Sequence, residues 1–245
     1  MQRKSALLSS VALASVAVSA SAFAAEPAFR LSITAARAGM NTTTVKPDGA
    51  KEAKVKTTSL MTFPSMPSAL SNLELAIFPE GYAVYLYPAA TGGSLWLGQA
   101  FGDAMELGVT LGLNNSKVDK PKNETMTNSI GVYYWGSMPA GPGALEVNVN
   151  PNLTIMSGTE LTSPGEGAAA DAAAVEVKKS GTTFGAYADA LYVMPWGKNF
   201  DYAAGLDLTF TTGDSKEKPK GGTEAKTKTT VMDMGIVLAK FRAKF

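Results

Sequence analysis

Six carboxylates are the side chains in this sequence best placed to do chemistry: Glu106, Glu146, Asp189, Asp201, Asp207 and Asp233. Arg30 and Asn148 fall on the corresponding faces of their own segments. Two opposed acids can divide proton donation and acceptance between them, and glycosidase-type chemistry would need such a pair facing across a substrate cleft. Spacing along the chain does not establish that. The same acids, paired with Arg30, waters and hydroxyls, would equally form the polar filling of a narrow closed sheet, and this is the preferred reading. The chain has no histidine and no cysteine. That excludes imidazole proton shuttles near neutral pH, imidazole or thiolate metal sites, and disulfides. There is no phosphate loop, no glycine-rich dinucleotide motif and no nucleophile–base pair, so no catalytic residue, cofactor or metal site is expected.

The elements that must carry these acids read as strands, because apolar and polar residues alternate with period two. Over 144–156, Leu145, Val147, Val149, Leu153 and Ile155 take one face. Glu146, Asn148, Asn150, Asn152 and Thr154 take the other, and Pro151 on the apolar side suggests a bulge or a boundary. Over 106–114, Leu107, Val109, Leu111 and Leu113 oppose Glu106, Gly108, Thr110, Gly112 and Asn114. Residues 200–211 and 29–36 repeat the pattern, the latter with Arg30, Ser32, Thr34 and Ala36 on the polar face.

Connector lengths give a rhythm. Short turn-rich links at 102–103, 139–143 and 195–199 separate long polar ones at about 41–69, 114–127, 157–181 and 212–229. Putting all long links at one end requires strands near 28–40, 70–78, 82–88, 94–101, 106–114, 127–137, 144–156, 182–194, 200–211 and 230–244. This is an antiparallel up-and-down barrel of about ten strands, or eight if 82–101 does not cross. Residues 54–63 break the parity as a separate crossing and read as the returning arm of the first long link. Phe101, Trp196, Phe200, Tyr202, Phe241 and Phe245 collect near the short-turn end. Tyr133, Tyr134 and Trp135 lie mid-strand.

At the N-terminus, Arg3 and Lys4 precede an apolar run from Ala6 to Val18, and Ala22-Phe23-Ala24 fits an A-x-A cleavage site. Residues 1–24 are therefore expected to be a cleaved signal peptide, and 25–245 the barrel. With 22 basic and 21 acidic residues the chain offers no argument for nucleic acid. The lysines cluster locally, as Lys46, Lys51, Lys54 and Lys56 and as Lys216, Lys218, Lys220, Lys226 and Lys228. Mixed with acids, threonine and glycine, they read as mobile solvated loops or, less simply, as attraction to an anionic surface.

The last strand resembles the assembly signal of outer-membrane barrel proteins. Phe245 supplies the terminal aromatic, and Phe241 stands four residues before it. Ala243 occupies the position where a second aromatic is common, and Gly235 is earlier than usual. A bulge between Leu238 and Phe241 would join the two apolar frames of this strand. By pattern, the chain is similar to small single-chain bacterial barrels of the OmpA-transmembrane or OmpW type. The resemblance implies a cell outer membrane location, delivery by periplasmic chaperones to the barrel-assembly machinery, and contact with outer-membrane lipid and lipopolysaccharide. Proteases, phospholipases and lipid A acyltransferases of this architecture rely on a histidine, which is absent here. The expectation is a non-enzymatic barrel, structural or a narrow porin-like channel. The alternatives are a receptor or adhesin acting through its external loops, and a secreted soluble lipocalin-like binder.

Overall fold

The computed structural model describes residues 28–62, 73–102, 104–119, 122–162 and 175–245. The candidate export segment lies outside them. Eleven strands follow in order: β1 (Ala28–Pro47), β2 (Ala53–Thr62), β3 (Leu73–Phe78), β4 (Tyr82–Ala89), β5 (Gly92–Ala100), β6 (Met105–Asp119), β7 (Lys122–Ala140), β8 (Gly143–Thr162), β9 (Val175–Pro195), β10 (Phe200–Pro219) and β11 (Ala225–Lys244).

Each strand from β3 to β11 pairs antiparallel with the next, and β11 pairs with β1 to close the ring. The other flank of β1 meets two strands in succession: β3 over Ala28–Ile33 and β2 over Ala36–Val45. The ring thus has ten positions, one of them shared by β2 and β3. Of residues 54–63, those up to Thr62 are the returning arm of the first link, laid along β1 as β2, and Phe63 lies outside the described residues. The hairpin over 82–101 is part of the wall, which removes the eight-strand alternative.

One end of the barrel, here the lower end, carries both chain termini of the sheet and tight turns. Gly141 and Gly197 sit in these turns at φ values of 60° and 87°, a left-handed conformation that costs other residues the Cβ clash glycine avoids. The upper end departs from expectation. The segments 114–127 and 212–229 are not long loops: β6 runs to Asp119 and β7 restarts at Lys122, while β10 runs to Pro219 and β11 starts at Ala225. Both faces of these segments are polar, which is why they read as loops. Threonine-rich stretches still suit a pleated backbone, and opposite charges face each other across it at Lys117↔Glu124 and Asp214↔Lys228. The wall is low only at β3 to β5, strands of six to nine residues.

Two irregularities set which side chains turn inward. In β11 the register slips between Val237 and Lys240 against Ala203 and Gly205 of β10, so the expected bulge is present. It keeps Leu238 and Phe241 outside while turning both Val237 and Lys240 inward. The neighbouring β1 slips around Ala36. The polar-face assignment over 29–36 therefore stops at Thr34: beyond the slip the odd-numbered positions face in, and Arg37 replaces Ala36.

Candidate functional site

The inward face is built from charged residues laid over very small ones. Ala76, Ala83 and Ala203 are wholly inaccessible, and the room they leave is filled by longer neighbours. Arg30 of β1 lies 2.8 Å from Glu74 of β3, and Lys240 of β11 reaches the second oxygen of Glu74 at 3.0 Å. Ser32 donates to the same carboxylate at 3.1 Å. Arg242, 4% exposed, pairs with Glu146 of β8 at 2.7 Å, and the Trp135 indole donates to that acid at 3.3 Å. Tyr85 donates to Glu106 at 2.5 Å. With Leu191 and Val193 also buried, these groups crowd the lower lumen. At the lower rim Asp201 holds Lys244 at 2.7 Å.

Halfway up, the filling gives way to a cavity of about 360 Å³. Its upper side is crossed by Arg37, which donates to Asp207 at 2.7 and 2.5 Å and also to Asp233. The guanidinium lies against Gly39 and Gly235, where a Cβ would come within 2.6 and 2.5 Å of it. One wall of the cavity is aromatic. Tyr87 and Trp96 have ring centroids 4.9 Å apart, and Trp96 and Tyr133 5.1 Å. The facing wall carries Asn148, Asp189 and Asp207, which are direct cross-strand neighbours on β8, β9 and β10.

The eight polar residues singled out on the strand faces lie at different levels of the lumen, while Phe241 and Phe245 are exposed outside. Arg30, Glu146, Asn148, Asp189 and Asp207 line the cavity, Asp233 reaches it through Arg37, Glu106 is sealed beneath Tyr85, and Asp201 lies at the rim. Five charged partners lie outside the sequence expectation: Arg37, Glu74, Lys240, Arg242 and Lys244. Glu74 was legible, since Leu73, Leu75 and Ile77 alternate with it. Arg37, Lys240 and Arg242 were hidden by the two register slips. Among the described residues, no group of three or more acids could hold a metal ion.

The outward face has the opposite character. Leu113 and Leu206 are 63% and 61% exposed, and Leu107, Ile130, Val132, Ile155, Phe184 and Ile236 continue the surface around the ring. On β8 this belt runs from Leu145 to Ile155, roughly ten residues, the length on which a tilted strand crosses a bilayer. No helix among the described residues is long and apolar enough to cross. A ring closed by the β11–β1 pairing, apolar outside and polar inside, pairs the hydrogen bonds of its closed part internally and solvates its exterior with lipid. The chain is a β-barrel of the membrane-spanning kind. Phe101, Trp196, Phe200 and Phe245 are exposed at its lower rim, where aromatic rings settle between hydrocarbon and water. A soluble lipocalin-like binder would have the reverse polarity, an apolar interior and a polar coat.

No protein-family model matches the chain, and no curated protein does. Among solved structures, the outer-membrane protease OmpT of Escherichia coli is similar over 92% of this chain and 99% of its own, at 9% identity and a TM-score of 0.46. The attachment invasion locus protein Ail of Yersinia pestis matches over 90% of this chain and all of its own, at 12% identity and a TM-score of 0.30. A major outer-membrane protein of Thermus thermophilus matches over 86% and 100%, at 9% identity and a TM-score of 0.30. None of these likenesses bears on what this barrel does.

Proposed function

We propose that this chain is a non-enzymatic outer-membrane barrel, closed to solutes in its periplasmic half, serving as a structural and surface-exposed element of the outer membrane. The observation that carries this is the sealed lower lumen, where Arg30, Glu74, Lys240, Arg242 and Glu146 bridge strands on several sides of the ring. Most of the acids that might share acid–base work are already held by cations: Glu146 by Arg242, Asp207 and Asp233 by Arg37, and Asp201 by Lys244. Refolded protein in a planar bilayer should show no regular single-channel steps. Steady conductance from the wild-type chain would return the narrow-channel reading to first place.

The upper wall supports a surface role beside the structural one. Above the apolar belt, Lys54 and Lys56 of β2, Lys46 of β1, Lys226 and Lys228 of β11, and Lys216 and Lys218 of β10 are exposed on adjoining strands. Lysines just beyond hydrocarbon suit the phosphates of lipopolysaccharide in the outer leaflet.

A further inference from the structure

In the cavity halfway along the lumen, one acid of the lining has no cation paired to it. Four basic side chains line it, and each is already committed: Arg30 and Lys240 to Glu74, Arg242 to Glu146, and Arg37 to Asp207 and Asp233. Asp189 is the remaining acid on the lining. Its hydrogen-bond partner is an uncharged one, the Tyr187 hydroxyl at 2.7 Å, which leaves one carboxylate oxygen free to accept. Beside it across the β8–β9 ladder, Asn148 has a buried amide oxygen with no hydrogen-bond partner. Burying an acceptor unsatisfied is costly, and the Asn148 oxygen beside the Asp189 carboxylate calls for a donor between them.

The opposite wall narrows the chemistry. Tyr87 is on β4 and Trp96 on β5, each five positions around the ring of ten from β9 and β10 respectively, and so directly across the lumen. An aromatic face attracts a cation and the carbon next to it. A volume of about 360 Å³ is near the small end of ligand pockets, whose range begins at about 300 Å³. Access is from outside: below the cavity the inward side chains are buried, whereas Asn41, Thr209 and Thr211 above it are only half-buried.

We propose that this cavity binds a small organic ammonium ion, its N–H groups donating to Asp189 and Asn148 and its carbon frame resting on Tyr87 and Trp96. The site goes beyond the structural reading and stands whether or not the barrel conducts.

Isothermal titration of the refolded full-length barrel in a polyoxyethylene detergent, which has no sugar headgroup to compete, tests this. Butylammonium is the probe, with 1-butanol as its uncharged counterpart and glucose as a polyol. The expected result is saturable one-site binding of butylammonium and none of butanol or glucose. Asp189→Asn should weaken binding at least tenfold and Trp96→Leu severalfold, in variants that still migrate as folded barrels on unheated gels. Three results would overturn the proposal: no saturable butylammonium binding by the wild-type protein, equal binding by a folded Asp189→Asn barrel, or binding of glucose in place of the ammonium. The wild-type titration decides even if the variants do not fold.

Discussion

Removing Arg242 leaves Glu146 without its cation in a part of the lumen where the two side chains are only 5% and 11% exposed. Taking away one member of a buried pair generally costs about 3–5 kcal/mol, because the survivor keeps its desolvation cost and loses its compensation. Arg242→Met should therefore lower barrel stability by about that much in urea titrations from detergent. The double variant Arg242→Met/Glu146→Gln should recover a large part of the loss. A double variant no more stable than the single would show that the arginine acts through packing alone. At this scale the sequence was partly readable. The inward residues could be recognised one by one, because an acid or an arginine in an alternating segment has nowhere else to go. Their partners could not be named: Arg242 and Glu146 are 96 residues apart, and Arg37 and Asp233 196.

Along an element, the period of two predicts opposite consequences for adjacent residues. Val147 lies on the lipid face of β8, between Leu145 and Val149, while Asn148 faces the lumen. Val147→Arg should impair folding into the membrane by roughly 2–4 kcal/mol, the cost of a cation at mid-depth on the lipid side. Asn148→Ala strands no protein partner and should change stability little. Equal tolerance at the two positions in a lipid-vesicle folding assay would contradict the face assignment. The limits of pattern reading also belong to this scale. Alternation located every crossing, but one inserted residue inverts it, and the slips in β1 and β11 left Arg37, Lys240 and Arg242 unassigned. Pattern failed again above the belt. Where neither face meets hydrocarbon, a strand needs no apolar stripe, and the extended ends of β6, β7, β10 and β11 read as polar loops.

For the whole molecule, the function proposed above is that of a barrel sealed in its lower half whose basic upper rim meets the outer leaflet. If these lysines contact lipopolysaccharide phosphates, added lipopolysaccharide should raise the temperature at which the barrel loses its folded gel migration. A Lys54→Ala/Lys56→Ala/Lys226→Ala/Lys228→Ala variant should gain clearly less, and zwitterionic lipid should act equally on both proteins. An equal response of both proteins to lipopolysaccharide would remove the basic rim as its contact.

What the sequence determined alone was the class of architecture and the facing of most strands, because lipid and lumen impose opposite polarity on successive residues and that demand is written locally. The lack of histidine equally removed imidazole chemistry without any coordinates. Tertiary structure decided the rest. It placed β2 above β3 on the flank of β1, moved Arg37 and Lys240 inward through bulges, and brought Asp189 and Asn148 opposite Tyr87 and Trp96 around one cavity. These are relations between strands far apart in the chain. They depend on register and ring closure, which no local pattern specifies.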